Sequence, residues 1–411
     1  MQELYLGWAA VGAIVLVLGL YSSLLKRTIL SLPMAALLAG IALGPALDLL
    51  NPARWGPSPE EILEEAARVT LAIALMGVAL RLPPGFLKRC WKPVSVLVGL
   101  GMALMWLSAS LIVYLLLDVS PLVALLVGGV IIPTDPVVAS SVVSGKVAED
   151  NVSEDVRHTL SAESGSNDGL AYPFVMLPAV LLTQPASSGW TYWLTHNLIV
   201  DVGGAVLFGA LLGIASGHLL RKAEAKHTVE HDSFLAHTVA LSLLALGSAK
   251  LLDINGILTV FAAGVAFDQV VGGSERSEEE NVQEAFNQFF TLPIFVLFGL
   301  MLPWQQWLTL GWAGPALVVA VLLLRRLPAL LLLRPLISTL PHRLDAAYIG
   351  WFGPIGVATL LYAIHAKTLT GENLVWTVGS LMVFASLVVH GVTASPFTFW
   401  YGRHRKPEQH R

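Results

Sequence analysis

Carboxylates set in apolar sequence are the residues of this chain whose chemistry calls for an explanation. Pro133-Thr134-Asp135-Pro136 and, after a polar interval, Glu163-Ser164-Gly165-Ser166-Asn167-Asp168-Gly169 lie inside stretches that otherwise read as membrane spans. A carboxylate at the bilayer centre costs about 2.5–3.5 kcal/mol on insertion scales, and acids kept there mark ion or proton pathways. Asp135, Glu163 and Asp168 place three such groups in two neighbouring spans. Ser164 and Asp168 are four residues apart, as are Glu163 and Asn167, so each pair shares one face of a helix. Oxygen ligands of these types suit a hard monovalent cation. Arg325 and Arg326, in a later apolar stretch, supply counter-charge. An arginine at that depth needs a carboxylate, and Glu163 is the natural one, which leaves Asp168 free to titrate.

The elements that must position these groups are membrane helices. Of 411 residues, 55% are hydrophobic and 13% charged, whereas soluble domains carry about twice that charged fraction. The net charge of −4 is spread among loops and argues against a nucleic-acid partner. The lone Cys90 excludes an internal disulfide framework and a thiolate-rich metal site. Windows of about 20 apolar residues yield about thirteen helices, near 5–25, 28–49, 62–82, 93–117, 122–145, 157–183, 193–220, 233–252, 256–271, 283–303, 311–336, 345–366 and 373–394. The apolar N-terminal run lacks a basic leader and reads as a retained first span.

Lys and Arg set the orientation. One set of connections holds Lys26-Arg27, Arg81, Lys88-Arg89, Lys92, Lys146, Arg157, Arg221-Lys222, Lys226, Arg276, Arg343 and the basic C-terminal residues, against Arg54 and Lys367 on the other side. The N-terminus is therefore expected outside and the C-terminus in the cytoplasm. Glu278-Glu279-Glu280 reads as a solvated loop, and His227 with His231 lacks a third metal ligand. With no soluble insertion between spans, residues 1–411 are expected to form a single transmembrane domain with a short cytoplasmic tail over 395–411. No cofactor is called for.

Two spans should be broken. Pro133 and Pro136 flank Thr134-Asp135, and Gly353-Pro354-Ile355-Gly356 interrupts the twelfth span. Proline removes a donor and clashes with the preceding turn, and backbone freed at that depth is tolerated only where it is enclosed by protein or lines a cavity. Paired interruptions in two halves are the trace of an inverted-repeat transporter with its site at the crossing point. The fold class expected is thus an all-α polytopic membrane protein of inverted repeats, its broken helices crossing near the midplane.

The motifs resemble the monovalent cation:proton antiporter superfamily, specifically the NhaP-type sodium/proton exchangers of its first branch. The likeness rests on Thr134-Asp135-Pro136, Glu163-Ser164 with Asn167-Asp168, the stretch from Leu292 to Trp304, the stretch from Gly350 to Gly356, and that from Val388 to Pro396, in the expected order. It implies thirteen helices, a six-helix core with a dimerisation domain, and a homodimer in a cell membrane of bacterial or archaeal inner-membrane type. It also implies that Asp168 alternately binds cation and proton, that Thr134, Asp135, Ser164 and Asn167 shape or coordinate the site, and that Glu163 pairs with Arg326, or alternatively Arg325. The electrogenic branch carries Asp where Asn167 stands, so electroneutral one-for-one exchange is implied. Relatives often place arginine where this chain has Ile355, and the third span has no mid-membrane acid; both bear on cation choice.

The reading that follows is a secondary antiporter, not an enzyme, exchanging Na+ (or Li+ or K+) for H+ by competition at Asp168. A K+/H+ exchanger of the same fold is the alternative. A passive channel leaves the competing carboxylate without a role, and an intramembrane aspartyl protease does not account for Asn167 and Arg326.

Overall fold

Within lipid, a backbone must satisfy its own polar groups, and helices do so segment by segment. Accordingly, every regular element among the described residues is helical. The computed structural model describes residues 2–22, 30–56, 58–83, 85–226, 234–272 and 289–405. Lys26-Arg27, His227, His231, Arg276, Glu278-Glu279-Glu280 and the tail from Lys406 lie outside them.

The helices are α1 (Gln2–Leu20), α2 (Leu32–Ile41), α3 (Pro59–Arg81), α4 (Trp91–Leu117), α5 (Pro121–Val130), α6 (Ser140–Val143), α7 (Glu154–Leu170), α8 (Tyr172–Thr183), α9 (Ala186–Glu224), α10 (Phe234–Leu251), α11 (Gly256–Val271), α12 (Phe289–Leu300), α13 (Ala313–Leu324), α14 (Leu327–Leu333), α15 (Arg343–Trp351), α16 (Val357–Thr370) and α17 (Leu374–Arg405). Among the described residues, five segments are apolar and long enough to cross a membrane: α4, α9, α10, residues 313–336 and α17. Starts are written locally. Ser58 and Ser120 accept hydrogen bonds from the N–H groups of Glu61 (3.2 Å) and Val123 (3.3 Å), each with proline at the first helical position.

Spans expected to be continuous are divided. The stretch 122–145 is α5, an irregular segment that turns at 136–139, and α6, and 345–366 is α15 and α16 with Phe352–Gly356 unwound between them. The stretch 157–183 is two helices meeting at Ala171, where Pro173 starts the second. The eleventh span breaks at Arg325-Arg326. In contrast, α17 continues to Arg405, past the expected end at 394. Its last turns are held by Asp345, which accepts from Tyr401 Oη at 2.6 Å and from Arg405 Nε at 2.8 Å.

α7 carries Glu163 to Asp168 and runs through the interior, packed on α3, α11 and α15. Around it, close approach depends on small residues. Gly209, Gly213 and Gly217 of α9 form a stripe against α11, and a Cβ on Gly213 would meet the Ala263 carbonyl. Replacing Gly213 with leucine is therefore expected to destabilise the protein by about 1–3 kcal/mol through overpacking. Leucine at Gly247, which has open space around it, should leave the thermal midpoint of purified protein unchanged, and equal behaviour of the two variants would refute this account.

Candidate cation-binding site

The site begins with the two unwound segments, which cross each other. The Asp135 N–H donates to the Pro354 carbonyl at 2.7 Å, tying one to the other. The Asp135 carboxylate then serves the helix starts on both sides. Oδ1 accepts from the N–H groups of Val137 (2.7 Å) and Val138 (3.0 Å), and Oδ2 from Val357 at the head of α16 (2.6 Å). These are orphan donors at the positive ends of helices, where an anion is stabilising. Gly356 is required for the approach, because a Cβ there would run into the Asp135 carboxylate.

The opposite helix ends are served by Arg325. Its Nη1 donates to the carbonyls of Ile131 (2.6 Å) and Ile132 (2.8 Å), beyond α5, and its Nη2 donates to the Gly353 carbonyl beyond α15. Other freed groups find side chains as well. Thr359 Oγ1 donates to Val130 O (3.0 Å), and the Ile355 N–H donates to Ser386 Oγ (2.7 Å). His390 contacts Trp351 O through Nε2 (2.9 Å) and Ser386 through Nδ1, so this histidine is part of the packing.

A second network lies on the Glu163 face of α7. Arg326 grips Glu163 with two bonds, Nη1 to Oε1 at 2.7 Å and Nη2 to Oε2 at 2.8 Å, while its Nε donates to Ile349 O at 3.0 Å. Asn167 Nδ2 donates to Glu163 Oε1 (2.8 Å) and Thr134 Oγ1 (2.5 Å), and its Oδ1 accepts the Thr134 N–H (3.1 Å). Thr134 Oγ1 lies 3.4 Å from Ser164 Oγ, which itself donates to Leu160 O at 2.8 Å. Thr134, Glu163, Ser164, Asn167 and Arg326 are thus one interlocked set. Of the two adjacent arginines, the one facing Glu163 is Arg326.

Asp168 stands apart from these bonds. It is fully buried, and both carboxylate oxygens lack a hydrogen-bond partner among the described residues. Its backbone carbonyl accepts from Tyr362 Oη at 2.5 Å, and Asn255, the N-cap of α11, donates to the next carbonyl, Gly169 O, at 3.2 Å. The peptide framework of Asp168 is therefore fixed while its carboxylate is left open. Asp135 and Glu163 are the acids whose charge bears on it, and both are already committed to donors. A buried unpaired carboxylate is tenable when it takes up a proton or binds a cation.

Sequence reasoning did not find the partners of Arg325, nor Tyr362 and Asn255. For Arg325 a signal exists: Pro133, Pro136 and Pro354 announce freed carbonyls, to which an arginine fork can donate as readily as it donates to a carboxylate. Tyr362 and Asn255 act through main-chain carbonyls, and no side-chain spacing points to them.

A family model described as sodium/hydrogen exchanger, transmembrane, matches residues 12–400. Among curated proteins, the chain is 31% identical to a Na(+)/H(+) antiporter of Saccharomyces cerevisiae, over 98% of this chain and 44% of that one. It is 31% identical to Na(+)/H(+) antiporter 2 of Zygosaccharomyces rouxii, over 95% of this chain and 52% of that one. The chain thus spans about half the length of these relatives. A K(+)/H(+) antiporter of Shewanella oneidensis is 26% identical over 79% of this chain and 55% of its own. The fold matches that of the sodium proton antiporter MjNhaP1 of Methanocaldococcus jannaschii, with a TM-score of 0.75 at 19% identity over 97% of this chain and 98% of that one.

The Glu163–Arg326 pair has a measurable consequence. Removing one member of a buried pair strands the other, at about 3–5 kcal/mol. Arg326→Met and Glu163→Gln are each expected to lower the thermal midpoint sharply, whereas the two combined recover part of the loss. Strictly additive losses in that cycle would show that the pair is not coupled.

Proposed function

The chain belongs to the sodium/hydrogen exchanger family, and from that premise we propose that it is a secondary antiporter exchanging Na+ for H+ at Asp168. One observation carries the reading: a fully buried carboxylate with both oxygens unpartnered among the described residues, beside a bidentate ion pair and a crossing held by the Asp135 carboxylate. A proton and a cation are rival solutions for such a group, and either neutralises it. The neutral forms can pass between the two sides of the membrane, while the bare charge is held back by the penalty of facing apolar surroundings. Obligatory exchange follows without further machinery.

Asn167 supports an electroneutral, one-for-one stoichiometry. Its amide is consumed by Glu163 and Thr134, so Asp168 is the titrating group left on this stretch of α7. Thr134, Ser164 and Asn167 shape the site, and Asp135 holds the crossing. The protein acts as a homodimer in a cell membrane, with the start of α3 facing outside and Arg405 facing the cytoplasm. The relatives named for Na(+) exchange support Na+ over K+ as the substrate, and the relative named for K(+) makes K+ the comparison to run.

The test is collapse of an imposed pH gradient in everted vesicles on adding Na+, Li+ or K+. Asp168→Asn is expected to abolish the response in correctly inserted protein. Direct competition further requires the apparent KM for Na+ to rise as pH falls, with an unchanged rate at saturating Na+. Cation-dependent proton flux surviving in Asp168→Asn would sink the proposal.

A further inference from the structure

Beyond Asp168, toward the bundle end that holds the starts of α3, α5, α9 and α11, lies a second polar cluster that the exchange reading does not use. One helical turn from Asp168, about 6 Å of rise, stands Tyr172, whose hydroxyl faces Asp201 of α9. Asp201 is 3% exposed and Asn197, one turn away, is 1% exposed. Asn197 Nδ2 donates to Asp201 Oδ2 at 2.8 Å, and His196 Nε2 lies 3.8 Å from Asp201 Oδ1. The Asn197 Oδ1 atom has no hydrogen-bond partner among the described residues. The residues Trp193–Gly203, which carry both side chains, are wound as a wide π-helix inside α9, a departure from regular winding that is frequent at functional sites.

We propose that Asp201 and Asn197 form a second cation-binding station, which holds the substrate cation on its way between Asp168 and one face of the membrane. The orphaned Asn197 oxygen and the Asp201 carboxylate are hard oxygen ligands of the kind a dehydrating monovalent cation takes. An unsatisfied buried amide oxygen is costly, and a cation relieves it. The station also connects directly to the Asp168 framework. The Asn255 N–H lies 3.4 Å from the Asp201 carbonyl, while the Asn255 side chain donates to Gly169 O. Between Asp201 and Asp168 stand Tyr172 and the junction of α7 and α8 at Ala171, and the station places its cation on that side of Asp168. The cation is the Na+ of the proposed exchange, and the second station rests on that exchange taking place.

The test uses the full chain in vesicles of both orientations, with the apparent KM for Na+ measured from each face. Loss of a charge-assisted ligand of this kind corresponds to a KM rise of about tenfold or more. Asp201→Asn should produce that rise for Na+ presented at one face and leave the other face unchanged, while Asn197→Asp should lower the KM at that same face. Equal effects at the two faces, or none, would overturn the station and leave Asp201 as a structural link. If Asp201→Asn fails to insert, Asn197→Leu and Asn197→Asp decide by the same one-sided readout. Wild-type vesicles separate the two claims: no Na+-driven flux there defeats the exchange reading, whereas normal flux with symmetric variants defeats this inference alone.

Discussion

Four helix ends brought face to face inside a membrane must be neutralised, and the rest of this structure depends on how that is done. The ends of α5 and α15 present bare carbonyls; the segment after Asp135 and the head of α16 present bare N–H groups. Arg325 takes the carbonyls and Asp135 takes the N–H groups, each reaching both unwound segments. Neither side chain alone would suffice, since a lone buried ion at this depth is heavily penalised. Together they place opposite charges against opposite helix ends, where the partial charges of the backbone complement them. Both segments are thereby pinned, and Thr134, next to Asp135, is delivered against Asn167.

Once the crossing is held, the remaining polar groups can be ranked by how completely they are used. Glu163 accepts from Arg326 and Asn167; Asn167 has its oxygen and both amide hydrogens engaged; Ser164 is bonded back to its own helix. Asp168, one residue beyond Asn167 and fully buried, has no hydrogen-bond partner on either carboxylate oxygen among the described residues. Its freedom is a product of its neighbours' saturation. A carboxylate in a half-satisfied network would be drawn to the nearest donor, but here the donors are already taken.

Much of this was legible in the residues themselves. Four-residue spacing placed Glu163 with Asn167, and the prolines at 133, 136 and 354 located the breaks, because those signals are local and backbone chemistry enforces them; Ser164, which spacing set beside Asp168, instead donates to Leu160 O and lies against Thr134. Which arginine meets Glu163 was not decidable from spacing: Arg325 and Arg326 point in different directions from a kink that the apolar run does not announce. Asp135 was expected among the residues that shape or coordinate the site, and what spacing could not reveal is that its acceptor capacity goes to three backbone donors from two segments more than two hundred residues apart. The length of α17 also escaped hydropathy, because its last turns are held by polar bonds to Asp345.

The distribution of bonds bears on motion. Contacts of α7 with α3 and α11 are apolar and close: a Cβ on Gly165 would meet Phe261 and Val78, and one on Gly169 would meet Leu258. Apart from the Asn255 bond to Gly169 O, these contacts hold no hydrogen bond among the described residues that relative movement would break. Among the described residues, polar links from α7, α8 and α16 to α3, α9 and α11 include three at one end of the bundle: Lys367 Nζ to Glu60 at 2.7 Å, Trp193 Nε1 to Pro173 O at 2.8 Å, and Asn255 Nδ2 to Gly169 O. Each is individually weak, as hydrogen bonds in an aqueous reference are. A bundle with a pinned centre, a smooth flank and its polar fastenings at one end has a direction in which it yields. Under the proposed exchange, the pinned crossing would tilt as a unit and carry Asp168 with it, the Glu163–Arg326 and Asp135 bonds staying closed.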